Sequence, residues 1–206
     1  MMLKFMTKSS KLSKSTSSAE VKQLVKDLTS RLLKVKKETD TILFKYVEPI
    51  TVEDANRLLE NILSKFHLVV REIGERHENR PTLKITDEYD VQDLLHGLLC
   101  LCFDDIRVEE WTPEYAGASA RIDFLLKKEQ IAIEVKKARK GLGKREIGEQ
   151  LIIDIAHYQK HSECKNLYCF VYDPEERISN PIGFERDLSG KHDNLMVRVL
   201  IVPKRA

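Results

Sequence analysis

The chain has 206 residues, of which 42% are hydrophobic and 33% charged, a composition that suits a soluble protein with one sizeable domain and an appendage. No apolar run approaches the roughly 20 residues of a membrane span, and residues 1–18 lack the apolar stretch of a signal peptide. We therefore expect a cytoplasmic protein with no membrane association. The absence of a Gly-rich loop followed by Lys-Ser/Thr argues against a nucleotide-driven motor.

Positive charge is concentrated at the start of the chain. Residues 1–37 contain ten Lys or Arg against Glu20 and Asp27, a balance of +8, so the remainder carries −6 to reach the overall +2. Such a segment could bind an anion such as a nucleic-acid backbone. A solvated tail explains the Lys/Ser-rich composition equally well, and we predict disorder over residues 1–18.

Two amphipathic helices are predicted within residues 19–80. Thr51 to Asp54 resembles a capping box at the start of the second helix, and Pro49 separates the two. The simplest arrangement is an antiparallel helical hairpin, although the same apolar seams could pair with a second copy of the chain and form a dimerisation region. The seams are Val21, Val25, Leu28, Leu32 and Val35, and Ala55, Leu59, Ile62, Phe66, Val69 and Ile73.

A third helix is predicted after the linker formed by residues 77–87. Its apolar stripe runs from Val91 to Cys102, and Glu88, Gln92 and His96 follow at four-residue intervals along one flank. Side chains at the edge of a buried stripe can reach a neighbouring sheet, which makes these three candidate site residues. A polar row at the boundary with solvent would have the same spacing. Residues 106–111 then indicate a short strand.

Two short apolar runs, residues 120–126 and 131–137, carry charge where a core strand is normally apolar. Both are typical of strands, and the polar residues between them indicate a hairpin turn. A two-residue loop at Lys128 and Glu129 would set Asp123 opposite Glu134 and Arg121 opposite Lys136, with these four side chains on one face. The other face would pack in the core through Ile122, Phe124, Leu126, Ile131, Ile133 and Val135.

The charged face of this hairpin has two interpretations. Carboxylates held as close as Asp123 and Glu134 repel each other unless a cation lies between them, and hard oxygen ligands suit Mg²⁺. Lys136 would then lie within reach of whatever the metal polarises. A cross-strand ladder of salt bridges on a solvated face would use the same residues, and a one-residue slip of the register would separate the carboxylates.

Beyond the hairpin, residues 136–145 form a basic, Gly-containing loop. A helix is predicted over residues 144–161, with Gln150, Asp154 and Tyr158 at four-residue intervals on one face. Strands follow at residues 167–172 and 195–202, with a short helical turn at residues 181–188 between them. The order of elements predicts a mixed sheet flanked by helices, with a parallel connection from the strand of Glu134 to the strand of Phe170.

Asp123, followed eleven residues later by Glu134-Val135-Lys136 and then by a helix carrying Gln150, resembles the PD-(D/E)xK nuclease signature, except that Ile122 stands in place of its proline. Four segments resemble more closely the restriction-endonuclease-like domain of the DpnII/MboI type: EYDVQDLL at 88–95, EWTPEYAG at 110–117, GEQLIIDI at 148–155 and CFVYDP at 169–174. The resemblance covers roughly residues 85–203 and leaves the helical front end outside.

The resemblance implies a restriction-endonuclease-like α/β fold over residues 85–206, a three-layer core with a mixed central sheet flanked by helices. The helical hairpin that the apolar spacing predicts precedes this domain. The resemblance also implies Mg²⁺-dependent hydrolysis of DNA, with Mn²⁺ as a substitute, in restriction or defence against phage. Asp123, Glu134 and the carbonyl of Val135 would hold the metal, Lys136 and Gln150 would act on water and phosphate, and Glu88, Gln92 and His96 would be additional site residues. The implied DNA-binding residues are Arg121, Lys137, Arg139, Lys140, Lys144 and Arg145.

The implied partners are DNA, a second copy of the chain bound through the front helices, and other proteins of a defence system. A catalytically inactive module that keeps the nuclease fold, binds nucleic acid and serves in assembly is the alternative. Metal-dependent cleavage separates these two hypotheses.

Overall fold

The computed structural model describes residue 23, residues 26–35, residue 37, residues 51–111 and residues 121–204. The chain divides into two compact units, Met1–Ile50 and Thr51–Ala206. Residues 26–35 of the first unit are helical. The predicted disordered tail, residues 1–18, and the link between the two front helices lie outside the described residues. No helix in the described part of the chain is long and apolar enough to cross a membrane.

The second front helix, α1 (Val52–Gly74), belongs to the larger unit and packs on its sheet. Thr51 caps it, as the sequence predicts, by accepting a hydrogen bond from the backbone N–H of Asp54 at 3.1 Å. Its buried residues, Ala55, Leu59, Leu63 and Phe66, lie in one hydrophobic cluster with strand residues. The seam of α1 therefore faces the sheet, and helix and sheet share one core. The sequence pattern instead predicts α1 as part of a helical region, residues 19–80, separate from the domain that starts at residue 85.

Helix α2 (Glu88–Leu99) joins the same core after a short 3-10 helix, His77–Asn79. A capping box starts α2, with Asp87 accepting from the N–H of Asp90 at 3.1 Å and Asp90 accepting in return from the N–H of Asp87 at 3.2 Å. Val91, Leu95 and Leu99 are its buried residues.

Six strands form one mixed sheet in the order β1-β2-β3-β4-β6-β5. β1 and β2, β2 and β3, and β5 and β6 are antiparallel, whereas β3, β4 and β6 run parallel to one another, which confirms the predicted parallel connection from β3 to β4. The strands are β1 (Ile106–Trp111), β2 (Arg121–Leu126), β3 (Ile131–Lys137), β4 (Asn166–Tyr172), β5 (Gly190–His192) and β6 (Leu195–Val202). Helices α3 (Lys144–Tyr158) and α4 (Pro181–Leu188) complete the fold.

Helices cover both faces of the sheet, as in a three-layer restriction-endonuclease-like core. One cluster joins α1 and α2 to Phe124, Ile133 and Val135, and the other joins α3 and α4 to Leu125 and Ala132. Every residue of β3 is buried. The face of β3 that was predicted to pack does so through Ile133 and Val135. The opposite, charged face is covered by α3, so the alternative of a salt-bridge ladder on a solvated face is wrong.

The predicted register of the hairpin is confirmed over its turn end, where Phe124 pairs with Ile133, Leu125 with Ala132 and Leu126 with Ile131. The turn closes through the N–H of Gln130, which donates to the carbonyl of Lys127 at 3.3 Å. Gln130 adopts a left-handed backbone conformation, with φ of 59°. Its own carbonyl accepts the N–H groups of Lys165 and Asn166, at 2.9 and 3.2 Å, and so joins the turn to the start of β4.

Candidate active site

Strand β2 loses its regular pairing on both sides at Asp123. The β2–β3 pairs stop at Phe124, and the β1–β2 pairs omit Asp123 where Glu109 has a φ of 58°. One carboxylate oxygen of Asp123, Oδ2, accepts instead the backbone N–H of Val135 at 2.7 Å. A side-chain contact thus replaces a backbone pair, which brings the carboxylate against β3.

The interrupted pairing also changes which way β2 faces. Ile122 belongs to the cluster with Leu125 and α3, whereas Phe124 belongs to the cluster with α1 and α2. Strict alternation along a strand predicts Ile122 and Phe124 on the same face. The placement of Ile122 with Phe124 in one core is therefore corrected, because alternation breaks at Asp123.

Two of the three polar residues predicted along α2, Gln92 and Glu88, form hydrogen bonds to Asp123 and to the end of β3. Gln92 donates from Nε2 to the other carboxylate oxygen of Asp123, Oδ1, at 2.9 Å. Glu88 accepts the backbone N–H of Lys137 at 3.3 Å. His96 packs its ring against Phe124, with ring centroids 5.8 Å apart. The helix therefore fixes the orientation of Asp123 through Gln92 and contacts the end of β3 through Glu88.

Glu134 lies on the α3 side of the sheet and is 5% exposed. Its Oε1 accepts from the ammonium of Lys136 at 2.5 Å, and its Oε2 accepts from the hydroxyl of Tyr158 at 2.6 Å. A buried carboxylate is tolerated when it is paired and hydrogen-bonded in this way.

Lys136 is 8% exposed and lies between two carboxylates. Besides Glu134, its Nζ is 3.2 Å from Oδ2 of Asp154 on α3. Asp154 and Tyr158 are not among the predicted site residues. Their four-residue spacing after Gln150 places them on the same face of the helix, and this is the sequence signal that indicates them. The cluster of Asp123, Glu134, Lys136, Asp154 and Tyr158 is called the carboxylate–lysine cluster below.

Gln150, expected to act at the site, is exposed, and among the described residues it makes no hydrogen bond to the carboxylate–lysine cluster. Asp154 and Tyr158, one and two turns further along α3, make the contacts instead. The helix thus contributes as predicted, but through different residues of the same stripe.

The predicted DNA-binding residues divide into buried and exposed groups. Lys137 is buried and its Nζ pairs with Glu175 at 3.5 Å, which corrects its assignment as a surface contact for DNA. Arg121 is exposed and forms a salt bridge with Glu109. Exposed side chains follow β3 directly in the loop and at the start of α3: Arg139, Lys140, Lys144 and Arg145.

A family model for restriction endonucleases of the DpnII-MboI type (REase_DpnII-MboI) matches residues 57–204. The chain belongs to the DpnII-MboI family. No curated protein and no solved structure matched it. The matched region contains the whole carboxylate–lysine cluster and begins within α1, whereas the resemblance in the sequence was seen only from about residue 85. Membership of a restriction-endonuclease family indicates a nuclease that acts on DNA.

Two carboxyl groups of the cluster in this DpnII-MboI family member, Asp123 and Glu134, are unusually hard to ionise. Burial raises the pKa of Asp123 to about 6, against the lowering effect of the Val135 N–H and of Lys136. Burial and the nearby Asp123 raise the pKa of Glu134 to about 8. Burial alone would lower the pKa of Lys136, but the carboxylates of Glu134 and Asp154 raise it overall. Perturbed acids that face one another in this way are typical of functional sites.

The donor set suits a hard divalent cation. Asp123 and Glu134 supply carboxylate oxygens, and each carboxylate retains acceptor sites because it accepts only two hydrogen bonds. Within the described ranges, no three His, Cys, Asp or Glu side chains lie close enough together to hold a metal. Mg²⁺ is commonly held by only one or two carboxylates, with water as the remaining ligands, so two carboxylates are a sufficient protein contribution.

Proposed function

We propose that this DpnII-MboI family member is a Mg²⁺-dependent endonuclease that hydrolyses phosphodiester bonds of DNA in restriction or defence against phage. The observation that carries the proposal is the meeting of Asp123, Glu134 and Lys136 where β2 separates from β3. These three residues come from separate positions in the sequence and lie within the family match. A phosphodiesterase site needs metal-binding oxygens and a cation for the phosphate, and this cluster contains both.

Asp123 and Glu134, with the carbonyl of Val135, would hold the metal, and Mn²⁺ could substitute for Mg²⁺. When bound, the metal supplies Lewis acidity toward the phosphate and lowers the pKa of a coordinated water. Lys136 presents an ammonium group to the negative charge that develops on the phosphate and orients the attacking water. Gln92 and the Val135 N–H hold both oxygens of Asp123, so that its carboxylate is preorganised for this role.

The DNA backbone would bind along the exposed basic residues Arg139, Lys140, Lys144 and Arg145, which immediately follow β3. Arg145 is partly neutralised by Glu149 at 2.9 Å. Contacts of this type give affinity without reading sequence, and their strength falls as salt rises.

A double-strand break needs two such sites, which supports a dimer as the working form. Leu28, Leu32 and Val35 in the helical residues of the first unit are 52, 70 and 59% exposed, and they share the spacing of a helix-pairing seam. Light scattering at micromolar concentration tests this proposal, and a monomeric mass across that range would contradict it.

Plasmid cleavage tests the nuclease. Supercoiled DNA incubated with the full chain and Mg²⁺ should become nicked or linear, and EDTA should prevent it. Asp123→Ala and Lys136→Ala should reduce the rate by about a thousandfold or more, because the first removes a proposed metal ligand and the second removes the cation that acts on the phosphate. Glu163→Gln, a substitution between α3 and β4 at a residue that pairs with Lys127 of the hairpin turn, is the control and should cleave at the wild-type rate.

Cleavage that persists unchanged in both alanine variants would overturn the site assignment. Wild-type protein that shifts labelled DNA in a salt-dependent manner but leaves it intact with Mg²⁺ and Mn²⁺ would instead support a binding module. Parallel reactions on single-stranded RNA test the preference for DNA.

A further inference from the structure

We propose that Asp154 is the positioning residue for Lys136, and that it holds the lysine ammonium at the cluster independently of Glu134. The inference rests on the proposed function, in which Lys136 acts on the phosphate. Neither the family resemblance nor the spacing of the motif assigns a role to Asp154.

Asp154 and Lys136 are in direct contact. Oδ2 of Asp154 lies 3.2 Å from Nζ of Lys136, and the two side chains are only 20 and 10% exposed. The same oxygen is fully buried, and among the described residues it has no well-aligned hydrogen bond. Burial of a carboxylate oxygen beside a single cation costs free energy, and a role in holding that cation in place explains why the oxygen is buried here.

The two carboxylates that flank Lys136 differ in their other contacts. Glu134 has other demands, because it also accepts from Tyr158 and is a ligand of the proposed metal. Asp154 has Lys136 as its ion-pair partner and is not one of the proposed metal ligands. If Glu134 were the only anchor, Lys136 would lose orientation whenever that carboxylate turned to the metal. A second, dedicated carboxylate removes this conflict.

A lysine side chain is flexible, and one contact does not fix the position of its ammonium group. Its ammonium is a point charge on a four-carbon stem, so a single contact leaves several rotamers available. Two carboxylates from different elements, β3 and α3, restrict the group from two directions. The position of the ammonium, and with it the turnover rate, should therefore depend on Asp154, whereas DNA affinity should not.

A structural readout that needs no catalysis tests the anchor. In metal-free protein with ¹⁵N-labelled lysine, we expect slowly exchanging ammonium signals from the buried Lys136 and Lys137, of which Lys136→Ala identifies the first by removing it. Asp154→Asn should broaden or abolish the Lys136 signal, and Asp187→Asn, the same substitution on the exposed part of α4, should preserve it. A Lys136 signal that is unchanged in Asp154→Asn, or that is absent from the wild type, would overturn the proposal.

Kinetics on DNA provide the second readout. Asp154→Asn should lower kcat by about 10- to 100-fold, as is common when a residue that orients a reactive group is lost, with KM changed by less than about twofold. Asp154→Glu, which keeps the charge, should recover part of the rate. Wild-type kcat in Asp154→Asn, or a loss that appears mainly in KM, would count against the role.

The outcomes separate this inference from the proposed function. If the wild type cleaves no DNA, the nuclease proposal fails, but the ammonium signal still decides whether Asp154 anchors Lys136. Melting curves and circular dichroism establish that each variant is folded. Asp154→Ser, a smaller polar substitution, is measured alongside so that poor folding of one variant leaves both readouts available.

Discussion

The two ends of the β2–β3 hairpin are built differently although they share the same two strands. At the turn end, buried apolar residues from Phe124 to Ile133 pair through the backbone in regular register. At the open end, Asp123 has left the ladder, and its carboxylate binds the N–H of Val135. Regular pairing supplies rigidity to one end, whereas its interruption makes a carboxylate available at the other.

This contrast separates the origin of stability from the origin of chemistry. The turn end gains from apolar burial, which favours folding in proportion to the area removed from water. The open end concentrates carboxylates that resist ionisation, an arrangement that costs stability where both are charged. Substitutions at the turn end should therefore change mainly the stability of the protein, and substitutions at the open end mainly its activity.

The largest difference should come from removing one carboxylate charge. We expect Glu134→Gln to lower the DNA cleavage rate by about a thousandfold or more, because it loses a proposed metal ligand and the partner of Lys136. Glu163→Gln, which breaks the salt bridge to Lys127 in the turn, should leave the rate unchanged. Rates from single-turnover cleavage measure this, and equal losses in the two variants would remove the functional distinction between the ends.

A cavity at the turn end should affect stability and spare chemistry. Leu126 is fully buried, so Leu126→Ala should lower the free energy of unfolding by about 2–5 kcal/mol in urea titrations. Leu101→Ala, at a site 79% exposed, should change it by less than about 0.5 kcal/mol. A Leu126→Ala protein that unfolds at wild-type urea concentration would show that this end is not the stabilising one.

The open end should also make stability depend on pH. Glu134 has a pKa of about 8 in the folded chain and an ordinary value of 4.5, so the folded state holds more protons between these values. Its stabilising contribution is fully present below pH 4.5 and is lost as pH rises through 8. We expect Tm of metal-free protein to fall by roughly 5 °C between pH 6.5 and 8.5.

Glu134→Gln provides the control for this pH effect, because it removes the titrating group. Its Tm should change little over the same window, apart from a small rise just above pH 6.5, because burial lowers the pKa of His67 and the unfolded chain then binds more protons there than the folded chain. A wild-type Tm that stays constant or rises from pH 6.5 to 8.5 would contradict the assigned direction of the Glu134 shift.

The smallest effect should lie in the turn itself. Gln130 has a φ of 59°, which a residue with a Cβ adopts at a cost. Gln130→Gly keeps the carbonyl that accepts from Lys165 and Asn166 and should stabilise the protein by about 0.5–1 kcal/mol. Lys128→Gly, at a neighbouring position without positive φ, should destabilise it slightly in the same urea titration. Stabilisation by both substitutions, or by neither, would contradict this explanation.

The regular parts of the molecule were predictable from the sequence. Alternating apolar residues and turn chemistry give the register of the hairpin, and helical spacing gives α2 and α3. Asp123, Glu134 and Lys136 could be selected because charge is costly inside a strand. Departures from regularity were not predictable: the break of alternation at Asp123 lies opposite Glu109, whose positive φ in another strand no sequence pattern indicates.

Tertiary packing decided the remaining differences. Gln150, Asp154 and Tyr158 share one helical stripe, and only the crossing of α3 over β3 determines that the last two reach the cluster. Lys137 follows Lys136 in a basic run that is typical of a surface loop, yet it is the last residue of β3, a strand that is buried along its whole length. Sequence patterns report spacing along an element, and they do not report where two elements cross.

The hydrogen bond from the Val135 N–H to Asp123 has a consequence for how this site tolerates mutation. The donor belongs to the backbone, so every amino acid except proline supplies it at position 135. The side chain there faces the opposite core, where its identity is a matter of volume and apolarity. Between Glu134 and Lys136, two proposed site residues, the chain thus has one position at which other apolar residues of similar volume would keep the hydrogen bond to Asp123.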